Sequence, residues 1–232
     1  MHQISAHVNN LKIINMEPKH KIFNLIILDE SGSMQSIKHA TISGFNEVVQ
    51  TVKGVEKQFP EQEHFISLVT FNGMGIKTLL ENEPVAKLDQ IDEKKYQPES
   101  MTPLFDAMGF SLIRLKKEVE NYTDYNVLVT ILTDGEENAS REYDGEAIKK
   151  LIEELSLKNW TFTYIGANQN EVDFAMKISI TNTMSFQANA ADMKKMFERE
   201  KKARINYSQN IREKKDFKTK FYFEEDDDEN KV

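Results

Sequence analysis

Apolar residues gather along this chain in two alternating rhythms. Three short runs, at 22–28 (IFNLIIL), 65–71 (FISLVTF) and 127–132 (VLVTIL), are rich in Ile, Val, Leu and Phe and stop at polar or turn residues. Continuous apolar runs of strand length predict strands buried on both faces. A fourth run, 160–165 (WTFTYI), alternates more and ends at Gly166, so it is expected nearer a sheet edge.

Between these runs the period changes. Ile37, Thr41, Phe45, Val48 and Val52 recur at three- and four-residue spacing, as do Leu104, Met108, Leu112, Leu115 and Val119, and then Ile148, Leu151, Ile152 and Leu155. Such spacing lines one face of a helix. Strand alternating with helix is the pattern of βαβ units around a parallel sheet. The stretch 76–88 breaks the alternation. It follows the second strand after a short NGMG turn, leaves no room for a crossover helix, and is expected as an antiparallel hairpin partner at one edge. The predicted fold class is therefore α/β: a Rossmann-like, doubly wound, mostly parallel sheet with one antiparallel edge strand and helices on both faces.

After Ile178 the signal weakens to a small strand near 182–186 and a helix from about Ala190. Beyond Ala203, Lys and Arg dominate as far as Lys220, and FYFEEDDDENKV closes the sequence. Dense like charge rarely packs into a core. The expected organisation is an extension over 1–20, a domain over 21–203 and a charged tail over 204–232.

Length fits that organisation, since 232 residues and 26.9 kDa suit one sizeable domain with extensions. A composition of 39% hydrophobic and 29% charged residues is that of a globular protein, and the apolar runs are far too short to span a bilayer. No membrane partner is expected. The opening MHQISAHVNNLKIINMEPKH has no basic start, continuous apolar stretch or small-residue cleavage pattern, which leads to a cytoplasmic expectation. With no Cys, thiolate nucleophiles, Cys-bound zinc and disulfides are all excluded. A net charge of −8 argues against a broad nucleic-acid surface.

Candidate chemistry sits where strands end. In open parallel sheets, ligands bind outside the carboxyl ends of the strands, at the point where strand order reverses. The first strand delivers Asp29, Glu30, Ser31, Gly32 and Ser33; the 127–132 strand delivers Thr133, Asp134, Gly135 and Glu136. A third loop, SMTPLFDA, sets Thr102 before Pro103, which predicts a helix N-cap with an exposed hydroxyl. Together these loops offer hydroxyls and carboxylates without a basic residue. That inventory suits a hard divalent cation, Mg²⁺ first, with Mn²⁺ or Ca²⁺ as substitutes.

Asp29-x-Ser31-x-Ser33 after a buried strand, Thr102 in a TPL turn and Asp134 in a TDG turn resemble the metal-ion-dependent adhesion site of von Willebrand factor A domains. The resemblance runs in that family's order over roughly residues 21–202. It implies that Ser31 and Ser33 ligate the metal through their hydroxyls and that Asp29 holds waters or hydroxyls around it. Thr102 and Asp134 would bind directly or through water. With few carboxylates on the ion, an open coordination position remains for a partner's Asp or Glu. The implied function is a non-enzymatic, Mg²⁺-dependent protein-binding module, in style nearer the bacterial cytoplasmic members, including those of tellurium-resistance type.

Simpler roles compete for several of these residues. Ser33 could cap a helix starting near Gln35, and Asp106 in the first turn of its helix is favourable to the dipole. Glu30 is expected to tune partner choice by charge. Met34, Met74 and Met101 could line a greasy rim or fill gaps. The acidic stretch 224–229 could reach the metal's open position or remain solvated. An alternative function is a metal-assisted hydrolase or phosphotransferase, but position 31 is Ser where a DxD pair would need Asp, and no Walker A loop or GxSxG elbow is present. A second alternative is nucleic-acid or scaffold binding through the basic segment 199–220 with its interleaved Tyr207 and Phe217.

Overall fold

The four apolar runs become the four central strands of one sheet. In the computed structural model, which describes residues 18–167 and 169–215, the strands are β1 (His20–Asp29), β2 (Gln62–Asn72), β3 (Gly75–Pro84), β4 (Tyr125–Thr133), β5 (Trp160–Gly166) and β6 (Asn182–Ser185). Their order is β3-β2-β1-β4-β5-β6. β3 pairs antiparallel with β2, and every other neighbouring pair is parallel. The expected class, including the antiparallel edge strand, is what is found.

Helices α1 (Lys38–Gln58), α2 (Leu104–Val119), α3 (Gly145–Ser156), α4 (Gln169–Lys177) and α5 (Ala190–Arg212) flank the sheet. Strand side chains alternate between two cores because successive Cβ atoms point to opposite faces. Leu25, Ile27, Val129 and Ile131 pack with Leu104, Met108 and Leu112 of α2 and with Ile148 and Ile152 of α3. Ile26, Leu28 and Leu132 pack on the other face with Phe45 and Val48 of α1 and Met196 and Phe197 of α5. The α1–α5 approach depends on Gly44, where a Cβ would lie 1.9 Å from the Phe197 ring.

The composition change after Ala203 does not end the folded region. α5 continues to Arg212, and Arg204, Tyr207 and Ser208 are buried along it. Arg204 lies beneath the helix with Nη1 donating to Asn24 Oδ1 at 2.8 Å and Nη2 to Thr130 Oγ1 at 2.9 Å, while Nε pairs with Glu200 at 2.5 Å. Gln62 Nε2 also donates to the Ser208 carbonyl, at 2.9 Å. Arg204 and Tyr207 leave the proposed basic surface, because a buried charge here is satisfied by partners brought from β1 and β4. Residues 1–17 and the acidic stretch 224–229 lie outside the described residues.

Candidate metal centre

Strand order reverses between β1 and β4, since α1 carries the chain away on one face and α2 returns it on the other. β1 ends on Asp29, β4 on Thr133, so their following loops meet above this point. Asp29 is fully buried. Its Oδ1 accepts from the Ser31 N–H at 2.7 Å, and its Oδ2 accepts from the Thr133 hydroxyl at 2.6 Å.

From there a row of oxygens leads outward. Ser31 Oγ lies 3.1 Å from Ser33 Oγ, and Ser33 Oγ donates to Asp134 Oδ1 at 2.5 Å. Gly135 marks where they converge with Thr102: a Cβ on it would stand 3.1 Å from Thr102 Oγ1, 3.5 Å from Ser33 Oγ and 3.7 Å from Asp29 Oδ2. Oxygens from three separate loops thus face one small space that the missing side chain of Gly135 leaves open. The structure brings all five sequence-derived site residues, Asp29, Ser31, Ser33, Thr102 and Asp134, into this cluster.

The donors are oxygen only, and hydroxyls outnumber carboxylates. Such a set fits Mg²⁺ or a similar hard cation. Among the described residues no group of three or more His, Cys, Asp and Glu could hold a metal, so a centre here would draw mainly on Ser and Thr.

Burial pushes Asp29 up from 3.8 to about 6; its bonds to Thr133 and Ser31 oppose the rise, and the Asp134 charge adds to it. Asp134 is also raised by burial, against its bond from Ser33. Two carboxylates that both resist ionisation make a site that a cation would relieve.

Several side chains that hold the loops escaped the sequence reading. Thr102 is buried rather than exposed, and Pro103 occupies the N-cap position of α2. Asn138 fixes Thr102 instead, its Oδ1 accepting from the Thr102 N–H at 2.9 Å while its own N–H donates to the Thr102 carbonyl at 3.1 Å. Glu137 accepts from the N–H groups of Phe105, Ala139 and Ser140, each at 2.8 Å. Asp106 does more than meet the helix dipole: it accepts from the N–H groups of Arg141, Glu142 and Tyr143, each at 2.9 Å. The only forewarning in the sequence was the density of acids beside the motif residues.

The Glu30 side chain is turned inward. It is 1% exposed, accepts from the Gln97 N–H at 2.6 Å and lies 3.4 Å from Lys77 Nζ. With Tyr96, whose hydroxyl donates to the Asp29 carbonyl at 2.6 Å, it fastens the segment before α2 to the back of the loop that follows β1. The Ser33 hydroxyl is turned to Asp134 and caps nothing; Met34 is core, whereas Met74 and Met101 are exposed.

The profile of the von Willebrand factor type A domain family matches residues 25–200, most of the chain. The chain belongs to that family. This VWA domain is similar in fold to the SpRpn10 VWA domain, with 12% identity, 75% of this chain and 92% of that one covered, and a TM-score of 0.52. It is also similar to proximal thread matrix protein 1 from the mussel byssus, with 14% identity, 80% of this chain and 46% of that one covered, and a TM-score of 0.50. At such identities the likeness concerns the fold alone. No curated protein matches the sequence significantly. Among its described residues, the VWA domain has no helix long and apolar enough to cross a membrane.

Proposed function

We propose that this VWA domain is a non-enzymatic, Mg²⁺-dependent docking module for a protein that presents an Asp or Glu side chain. Ser31 and Ser33 would hold the ion through their hydroxyls, Thr102 and Asp134 directly or through water, and Asp29 through groups it orients. Bound Mg²⁺ would supply a positive centre with an open position for the partner's carboxylate. The observation that carries this reading is the convergence of Thr102, Ser33 and Asp29 on the space beside Gly135.

A docking role also agrees with the neighbouring acids. Glu30, Asp106 and Glu137 are each occupied by backbone N–H groups, so none is poised as a general base for a hydrolase or phosphotransferase. The absence of Cys supports a cytoplasmic setting, such as that of the bacterial tellurium-resistance-type members. Affinity capture from the native lysate tests the proposal, with Mg²⁺ or EDTA and with wild type or Ser33→Ala. A partner retained only by wild type in Mg²⁺, and released when its contacting acid is changed to the amide, is expected. Equal capture under all four conditions would remove the metal from the account.

A further inference from the structure

Two turns border the oxygen cluster on its β2 side. The β2–β3 turn carries Met74, and the segment leading into α2 carries Met101, the residue before Thr102. Gly73 lies against that segment: a Cβ on it would run into the Ser100 hydroxyl and stand 3.0 Å from the Met101 nitrogen and 3.3 Å from the Met101 Cβ. The segment is in turn stitched to the loop after β1, with the Glu99 N–H donating to the Glu30 carbonyl at 2.9 Å and the Gly32 N–H to the Ser100 carbonyl at 3.0 Å. Both methionines therefore stand at neighbouring places on one rim of the candidate metal centre. Met101 is a single peptide unit from Thr102, about 3.8 Å between Cα atoms.

Packing does not account for these side chains. Met74 is 74% exposed and Met101 53%, two of the five large apolar side chains that face solvent among the described residues. The other three, Phe110, Leu157 and Met176, come from separate elements. A lone exposed apolar residue needs no explanation, whereas two on adjoining turns beside a candidate site make a patch. Methionine, with its flexible and polarisable side chain, suits a surface that takes apolar groups.

Neither turn is loosely held. The Met74 N–H donates at 2.9 Å to Oδ1 of the fully buried Asn72. Ser100 keeps a left-handed φ of 68°, unfavourable for a residue with a Cβ, and that conformation sets where Met101 emerges. A backbone already ordered presents its side chains with less entropy left to lose on binding.

We propose that Met74 and Met101 form an apolar shelf for the docking partner, receiving a large aliphatic or aromatic side chain one or two residues from the Asp or Glu that reaches the cation. This inference rests on the docking reading above and adds the partner's recognition sequence, an acid beside a large apolar residue. An extended segment rises about 3.3 Å per residue, so a neighbour of the acid covers the step from Thr102 to the shelf.

Titration of the full chain with short peptides, followed by ¹H–¹⁵N spectra, tests this. The probes are acetyl-Gly-Ser-Leu-Asp-Gly-Ser-Gly-amide, the same peptide with Leu after Asp, and versions with Ser for Leu or Asn for Asp. In Mg²⁺, at least one Leu peptide is expected to give saturable shifts at the amides of residues 73–75 and 100–102, binding about fivefold or more tighter than its Ser version, as partial burial of a Leu side chain provides. EDTA or Asn for Asp abolishes the shifts. In a Met74→Ser, Met101→Ser double variant the Leu and Ser peptides bind alike, and Met101→Leu keeps the preference for Leu. Mg²⁺-dependent binding of the Leu and Ser peptides with equal affinity would overturn the shelf and leave the docking reading standing. Leu-peptide binding that persists in EDTA, or no saturable shift from any peptide, would overturn both.

Discussion

The Thr133 hydroxyl donates to Asp29 Oδ2 across 2.6 Å, joining the ends of the two strands between which the sheet reverses its order. The same hydroxyl accepts from the Gly135 N–H at 3.1 Å, so one threonine sets both the buried carboxylate and the glycine beside the oxygen cluster. The loops that carry the oxygen cluster are thus registered to each other by the sheet itself. Rigid strand ends, rather than the loops alone, determine where the oxygens meet.

Asp29 should destabilise the cation-free protein. Burial raises its pKa from 3.8 to about 6, so the folded chain holds that proton more tightly than the unfolded chain does. Its contribution is therefore fully present below pH 3.8 and lost as pH rises through about 6, a loss on the order of 3 kcal/mol. Asn at this position can accept from Ser31 and donate to Thr133, whose own proton can turn to the Gly135 carbonyl 3.0 Å away. At pH 7.5 in EDTA, Asp29→Asn is expected to melt above wild type, and Mg²⁺ is expected to stabilise wild type alone. A variant that melts lower in EDTA yet still gains from Mg²⁺ would refute this.

Gly135→Ala separates the site from the fold. Gly135 does not have a positive φ, so its backbone accepts alanine, and the new methyl would meet the Thr102 and Ser33 hydroxyls. Stability should change by less than about 1 kcal/mol. Cation affinity, read by Mn²⁺ titration in an electron paramagnetic resonance experiment, should fall by about tenfold or more, since the alanine Cβ takes the space the ion needs.

Asp106→Asn should loosen the loop after β4. The carboxylate accepts three N–H groups, whereas an amide offers one acceptor and turns a donor toward the rest. The cost should be about 2–3 kcal/mol. Hydrogen exchange should accelerate at Arg141, Glu142 and Tyr143 while the β1 amides keep their protection. Uniform acceleration throughout the domain would point to general unfolding instead.

Arg204→Met takes the guanidinium away from the buried Glu200 carboxylate, a change that costs about 3–5 kcal/mol. Adding Glu200→Leu should recover at least half of that loss in urea melts. If the double variant is no more stable than the single one, the ion pair is not what fastens α5 to the sheet.

Legibility of this protein in its sequence followed the range of the interactions. Strands announced themselves by local composition, and Asp29, Ser31, Ser33 and Asp134 could be read because each lies within a few residues of a strand end. Thr102 was placed near the site, but its burial depends on Asn138, 36 residues away. Glu30 looked like a surface charge because Lys77 and Gln97, which occupy it, come from the hairpin and from the segment before α2. Arg204 was hidden for the same reason: a run of Lys and Arg reads as solvated until Asn24 and Thr130 are seen beneath it. The cavity of about 400 Å³ between the β2–β3 hairpin and α2 has no local signature at all, since its walls come from three strands and a helix.

Calorimetric titration of Mg²⁺ into the EDTA-stripped and dialysed full chain, with Ser33→Ala and Gly135→Ala in parallel, tests for the cation centre itself. One saturable site in wild type, weakened by about tenfold or more in each variant, is the expected result. No saturable Mg²⁺ binding in wild type, or the same affinity in all three proteins, would contradict a cation centre built from Asp29, Ser31, Ser33, Thr102 and Asp134.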